Sequence, residues 1–232
     1  MKYFGNGLSE LHKDLTAIIR SQNQLEETKR LFFELHSMLH LSAISNTIQN
    51  EVDDLLSDLE THEYRIMVTS KAETIAWVLW HITRIEDLTM NILVANDEQL
   101  FGDEWQKQLN ASITDTGNAL SDDEIMELSR QLNIGKLIEY RNVVGEKTRA
   151  IVQSLSTDDM KRKVSTQGLE RIKKIGGVTS QESSLWLLDY WGGKDVAGLL
   201  LMPPTRHLIM HLNDCSKWKK HIREGRKCFR TV

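Results

Sequence analysis

Two histidines near the carboxyl end of the chain stand four residues apart, in the stretch TRHLIMHLNDC. His207 and His211 would lie one turn apart on a helix, so that their rings could reach a single metal ion. The three residues between them are apolar and include no glutamate, which excludes the HExxH pattern of zinc peptidases. Because such a pair is more often structural or exposed than metal-binding, the two histidines alone leave both interpretations open.

A third histidine lies in an apolar stretch far upstream. His81 shares a helical stripe with Val78, Ile85 and Leu88, and is therefore expected to point into a helix bundle. A charged imidazole is costly to bury, whereas a metal would keep the ring neutral and satisfy one of its nitrogens. A neutral core histidine bonded to a carbonyl or a carboxylate explains the same pattern. From the pattern alone, both interpretations remain open.

The stretch ELHSMLH contains a second pair of histidines, His36 and His40, which are again four residues apart on one predicted helical face. Either ring could be an additional metal ligand, could line a pocket, or could simply cover the edge of the core beside Phe32. The pair therefore enlarges the set of candidate site residues without showing which histidines would share an ion.

Four further side chains are candidates for a pocket or for an additional ligand. Arg141 interrupts an apolar row, so that it either binds an anionic group or lies at a rim with its stem buried. Glu86 and Asp87 follow the upstream histidine by more than one turn, and are either its partners or part of a solvated helix face. Cys215 continues the row of the carboxyl-terminal pair, as a fourth ligand or, more simply, as a small buried thiol.

The elements that would position these side chains are helices. The two prolines are adjacent, and long stretches rich in leucine, glutamate and lysine lack the β-branched alternation typical of strands. Apolar periodicity predicts helical regions over residues 8–44, 71–94, 134–155 and 205–222, joined by at least two long connections. The sequence therefore predicts an all-α fold, a four-helix bundle with long crossover connections and with extra N-terminal and inserted short helices.

The connections carry further expectations. Residues 95–120 are expected to be a loop, and Ser121 and Glu124 form a capping-box pattern at its end. Residues 165–183 contain the one stretch with the glycine density of a loop, and a short apolar helix is expected after them at SLWLLDYWGG. Three tryptophans are expected in the core rather than at a substrate surface: Trp80, Trp186 and Trp191.

Composition argues against several classes of function. A hydrophobic content of 40% and a charged content of 27% are typical of a soluble globular protein, and the net charge of −4 argues against nucleic-acid binding. The first residues lack the apolar core of a signal peptide, and no segment approaches a membrane span. We therefore expect a cytoplasmic protein with neither nucleic acid nor membrane as a partner. Cys215 and Cys228 are expected to be free thiols.

The stretches TIAWVLWHITRIEDLTMNILV and RHLIMHLNDCSKWKK together resemble the DinB-like (YfiT-like) metalloprotein superfamily. The resemblance implies that a histidine of the second bundle helix, His81, and an HxxxH pair on the last helix, His207 and His211, are the metal ligands. It covers about residues 25–222 and implies one DinB-like helical-bundle domain over residues 1–232. This chain departs from the pattern by its extra N-terminal segment, by the LHSMLH pair and by an insertion around residues 100–130.

The resemblance also implies a chemistry. Three histidine ligands leave a coordination position open to water or substrate, as catalytic metal sites do. We expect a thiol S-transferase in which zinc or nickel activates a small-molecule thiol for attack on an electrophilic substrate. A homodimer is also expected. The alternatives are a metal-dependent hydrolase, a helical bundle that binds a ligand without turnover, and a bundle that serves only dimerisation, its histidines being structural.

Overall fold

The computed structural model describes residues 3–231, and this part of the chain folds into helices joined by turns and irregular connections. Within these residues there is no β-strand, only two isolated antiparallel bridges. In chain order the α-helices are α1 (Leu8–Ile18), α2 (Leu25–Ser37), α3 (Glu51–Leu56), α4 (Ile75–Asp87), α5 (Asp103–Leu109), α6 (Asp122–Gln131), α7 (Ile134–Ser154), α8 (Thr166–Lys174), α9 (Glu182–Gly192), α10 (Val196–Leu200) and α11 (Leu208–Arg223). The predicted all-α class is confirmed.

The bundle is formed by α2, α4, α7 and α11. Helix α4 packs against α7 and α11, while α2 packs against α7 and against a π-helical turn, Met202–His207, that leads into α11. Helix α4 itself continues into a second π-helical turn, Leu88–Val94. Long crossovers, residues 95–133 and 155–201, precede α7 and the Met202–His207 turn. The arrangement agrees with the predicted bundle with long crossover connections.

One hydrophobic core runs through these elements. Its buried side chains extend along the chain from Phe4 to Trp218, so that α1 and the crossover segments contribute to the same core as the bundle. The predicted domain spans residues 1–232, of which residues 1, 2 and 232 lie outside the described residues. Among residues 3–231, no helix combines the length and the apolar character that a membrane span needs.

Helix α4 is buried on every side, whereas the apolar stripe in its sequence predicted burial of one face only. Each residue from Ile75 to Asp87 is buried, including the charged Arg84 and Glu86. The alternative prediction of a solvated face at Glu86 and Asp87 is therefore wrong. The two residues are covered by different parts of the chain. The Asp87 carboxylate accepts from two backbone amides of the first crossover, whereas Glu86 lies against His36 and His40.

The connection predicted as a loop, residues 95–120, contains a short helix, α5, and the segment with the glycine-dense stretch, residues 165–183, contains another, α8. Helix α5 packs against α7, and α8 packs against α9 and the π-helical turn after α4. Helices of seven and nine residues are too short to stand out by periodicity, and packing stabilises them. The capping box is confirmed, because Ser121 caps α6 and its backbone amide donates to Glu124.

The tryptophan predictions hold for two residues out of three. Trp80 and Trp191 are buried, but Trp186 has 48% of its surface exposed, so its predicted place in the core is wrong. It lies on the outer side of α9, where its indole Nε1 donates to the carbonyl of Ser183. Both cysteines are free, as predicted.

Candidate metal centre

Three histidines from two parts of the bundle meet at one point. His81 lies on α4, His207 is the last residue of the π-helical turn, and His211 is in the first turn of α11. His81 Nε2 lies 3.2 Å from His207 Nε2, and the ring centroid of His211 lies 5.1 Å from that of His81 and 4.6 Å from that of His207. One ring nitrogen of each lies within 4.8 Å of the others. The structure thus brings together the three residues selected from the sequence.

The surroundings of His81 determine which of its nitrogens faces this cluster. Its Nδ1 lies 2.8 Å from the carbonyl oxygen of Thr116. Because a carbonyl oxygen only accepts, Nδ1 carries the proton and donates it. Nε2 is then left with a lone pair directed towards His207. A metal-binding histidine usually has this arrangement, in which the outer nitrogen donates to a carbonyl or carboxylate.

The donor set fits a divalent transition-metal ion. Two ligands 3.2 Å apart and each about 2.0–2.1 Å from an ion would subtend about 100° at it, close to a tetrahedral angle. Burial lowers the pKa of His81 to about 3 and that of His211 to about 4, and it lowers the pKa of His207 well below its ordinary value. All three rings are therefore neutral at neutral pH, which is the form that binds metal.

Four consecutive carbonyl groups, which we call the carbonyl segment (residues 114–117), accept hydrogen bonds from α4. The donors to Thr114, Asp115, Thr116 and Gly117 are, in that order, the side chains of Arg84, Trp80, His81 and Trp77. At Gly117, φ is +76° and an added Cβ would lie 2.8 Å from Trp77 Nε1, so the segment requires glycine there. Sequence reasoning missed this partner of His81, because every residue type supplies a carbonyl; the only signal was the glycine itself.

His36, His40 and Glu86 form a second buried cluster instead of joining the first. His36 Nε2 lies 3.2 Å from Glu86 Oε1, and His40 Nε2 lies 3.2 Å from Glu86 Oε2. Glu86 follows His81 by five residues, which turns its side chain about 140° around the helix. The structure therefore places Glu86 against a different pair of histidines from the pair that meets His81. His40 lies just beyond the end of α2, not within a helix as its spacing suggested.

The two remaining sequence candidates, Arg141 and Cys215, are both buried. Arg141 Nη2 donates to the carbonyl of Leu39 at 2.6 Å, and 1% of the residue is exposed, so it is not a rim residue. Its Nε and Nη1 groups have no hydrogen-bond partner in the described chain. Cys215 is not in the group of ligand atoms formed by the three histidines. Burial raises the pKa of its thiol well above the ordinary value, as expected for an unreactive buried cysteine.

An apolar pocket of about 150 Å³ opens beside His207. Besides this histidine, side chains of α4, α9 and the π-helical turn line it, among them Ile85, Trp186, Tyr190, Trp191, Met202 and Pro203. Trp186 and Tyr190 pack edge to face, with their ring centroids 5.8 Å apart. His207 and His211 are only partly buried, and through His207 the apolar pocket adjoins the three-histidine cluster.

A comparison with protein families matches the DinB superfamily over residues 46–182. The matched region is more than half of the chain and contains α4 and α7 with His81, Glu86 and Arg141. It ends before the Met202–His207 turn. No curated protein matches this chain.

Proposed function

This chain belongs to the DinB superfamily, and from that premise we propose that it is a metal-dependent thiol S-transferase. His81, His207 and His211 would hold zinc or nickel, both of which suit imidazole ligands. The observation that supports this most directly is the convergence of three neutral imidazoles, with the lone pair of His81 directed inward by its hydrogen bond to Thr116. When bound, a divalent ion with three neutral ligands keeps its positive charge and lowers the pKa of a thiol that reaches it.

The apolar pocket would bind the electrophilic substrate. Cavities of roughly 150 Å³ hold a benzene-sized ligand, which is the volume of the pocket beside His207. Trp186, Tyr190 and Trp191 would contact the ring and exclude water from the reacting carbon. In the proposed reaction the thiolate sulfur forms a bond to that carbon, the leaving group departs with its electron pair, and the thiol proton passes to solvent.

Metal analysis of the untagged protein tests the site. We expect His81→Gln and His211→Gln each to bind one equivalent of zinc or nickel less than the wild type. The control is His62→Gln, because the His62 side chain is 64% exposed and pairs with the exposed carboxylate of Glu60; the metal content of this variant should be unchanged. A wild-type protein that binds no metal, or full metal content in both site variants, would contradict the proposed centre.

Turnover tests the activity separately. We expect the zinc- or nickel-loaded protein to consume cysteine or glutathione in the presence of a benzyl halide, and a chelator to abolish this consumption. Trp186→Ala should raise KM for the benzyl halide several-fold while leaving metal content and the reaction with a methyl halide unchanged. A metal-loaded protein that consumes none of these thiols with either halide would contradict the proposed transferase activity but not the proposed metal centre.

A further inference from the structure

We infer that His36, His40 and Glu86 form a second divalent metal site, separate from the three-histidine centre. Each supplies one ligand atom, and the three atoms lie within 4.8 Å of one another. All three side chains are completely buried. The inference does not depend on thiol transfer, because it concerns other ligands.

The contact between His40 and Glu86 is the observation that distinguishes a metal site from a hydrogen-bonded cluster. His40 Nε2 and Glu86 Oε2 are 3.2 Å apart, yet neither has a hydrogen-bond partner among the described residues. In a hydrogen bond the N–H points at the oxygen, whereas ligands of one ion direct their lone pairs to a point between them. His40 Nε2 and Glu86 Oε2 are close but do not point at each other, as expected for two ligands of one metal ion. His36 Nε2 and Glu86 Oε1, also 3.2 Å apart, do have hydrogen-bond geometry.

Packing positions the rings of His36 and His40 side by side, so that both could bind the same metal ion. His36 and His40 are stacked, with centroids 4.3 Å apart and an interplanar angle of 27°. On its other side, His40 packs against Gly145 of α7, where an added Cβ would lie 2.7 Å from His40 Nδ1. The ring of His40 therefore lies close against the backbone of α7 at Gly145. Two imidazoles and one carboxylate are a donor set that binds first-row transition ions.

The charges around the cluster indicate what would complete the coordination. Burial by itself would raise the pKa of Glu86, but His40 and His36 hold it well below the ordinary value, so the carboxylate is ionised. Arg141 reaches the same region through its bond to Leu39, and its Nε and Nη1 have no partner in residues 3–231. A divalent ion beside Glu86 and Arg141 leaves excess positive charge in a buried place. The remaining ligand is therefore expected to be an anion that these N–H groups can contact.

Cobalt titration of the full-length, untagged and chelator-stripped protein tests the second site, because Co²⁺ bound in a protein site has visible absorption. We expect two equivalents for the wild type and one each for Glu86→Gln, His40→Gln and His211→Gln. Glu86→Gln keeps the shape of the side chain and removes its charge. His62→Gln should bind two equivalents, and zinc content after dialysis should follow the same pattern.

The number of cobalt equivalents that the wild type binds shows first whether one site or two are present. If it binds one, the variants show which site that is. One equivalent that is lost in His211→Gln and kept in Glu86→Gln overturns the second site while supporting the three-histidine centre. One equivalent lost in Glu86→Gln and kept in His211→Gln gives the opposite result: the second site exists and the proposed function fails. Two equivalents retained in both Glu86→Gln and His40→Gln also overturn the inference.

Discussion

Gly145 is the residue whose size fixes the position of His40. It stands in the middle of α7, where glycine costs roughly 1 kcal/mol relative to alanine. The structure explains its presence, because the ring of His40 occupies the space that a Cβ would fill. Gly145 weakens α7 but leaves room for the ring of His40, a candidate metal ligand from the turn after α2.

Alanine at position 145 should therefore destabilise the protein although it favours the helix. The overpacking against His40 is expected to cost roughly 1–3 kcal/mol, which exceeds the gain of about 1 kcal/mol in helix propensity. The matched control is Gly135→Ala in the first turn of α7, where an added Cβ has only Asn133 Oδ1 within reach, at 3.6 Å. Urea unfolding should show a lower midpoint for Gly145→Ala and an unchanged or higher midpoint for Gly135→Ala. Equal midpoints for the two variants would contradict this explanation.

At the residue scale, the sequence identified the members of the site better than it identified their partners. His81, His207 and His211 could be named as candidates because the resemblance to the DinB-like superfamily selected them; their spacing alone was equally compatible with structural histidines. The grouping of His36 and His40 with Glu86 was not recognisable, because about fifty residues separate Glu86 from them and no spacing rule acts over that distance.

Helix α4 is the element on which both clusters depend. One of its faces presents His81, a second presents Glu86, and a third contacts the first crossover through Arg84 and Asp87. The Asp87 carboxylate accepts from the backbone amides of Leu100 and Phe101 and from the hydroxyl of Tyr140, and it pairs with Arg84 at 3.0 Å. These bonds fix the crossover that also supplies the carbonyl acceptor of His81.

Replacing Asp87 by asparagine should detach this crossover. The change leaves Arg84 buried without its counterion, and one-sided loss of a buried ion pair typically costs roughly 3–5 kcal/mol. Tyr140→Phe keeps the ion pair and removes one hydroxyl that bonds to both partners, so it should cost about 1–2 kcal/mol. Urea unfolding of the metal-free variants measures both changes. If Asp87→Asn costs no more than Tyr140→Phe, the ion pair does not hold the crossover in the way described.

At the element scale, the long helices could be predicted, whereas the short helices α5 and α8 could not be placed. The apolar rows of α4 and α7 extend over several turns, and the buried Ile134, Leu137 and Val144 of α7 lie where periodicity placed them. Helices α5 and α8 owe their existence to packing on the bundle, which no local pattern shows. The π-helical turn that contains His207 also has no sequence signature, although adjacent prolines mark its position.

Over the whole molecule, buried polar groups from several elements lie next to α4. His36 and His40 come from α2 and the turn after it, Arg141 from α7, and the carbonyl segment from the first crossover. Apolar packing supplies the main stabilisation of such a core, but the buried imidazoles make the stability depend on pH. Burial lowers the pKa of both His40 and His81 to about 3, and it lowers the pKa of His36 in the same direction.

The metal-free protein should therefore lose stability as the pH falls from about 6.5 towards 3. Below an unfolded-state pKa of about 6.5, the unfolded chain binds protons that the buried histidines cannot bind, so acid favours unfolding. Between pH 7.5 and 5.5, His40 and His81 should each contribute a loss of about 1.4 kcal/mol, measured by urea unfolding in chelator. His81→Gln should be less stable at pH 7.5 but should lose about 1.4 kcal/mol less than the wild type on acidification, whereas His62→Gln should follow the wild type. An identical pH dependence in His81→Gln and the wild type would mean that the His81 ring takes up its proton without unfolding, and that the neutral, metal-binding form is not enforced by burial.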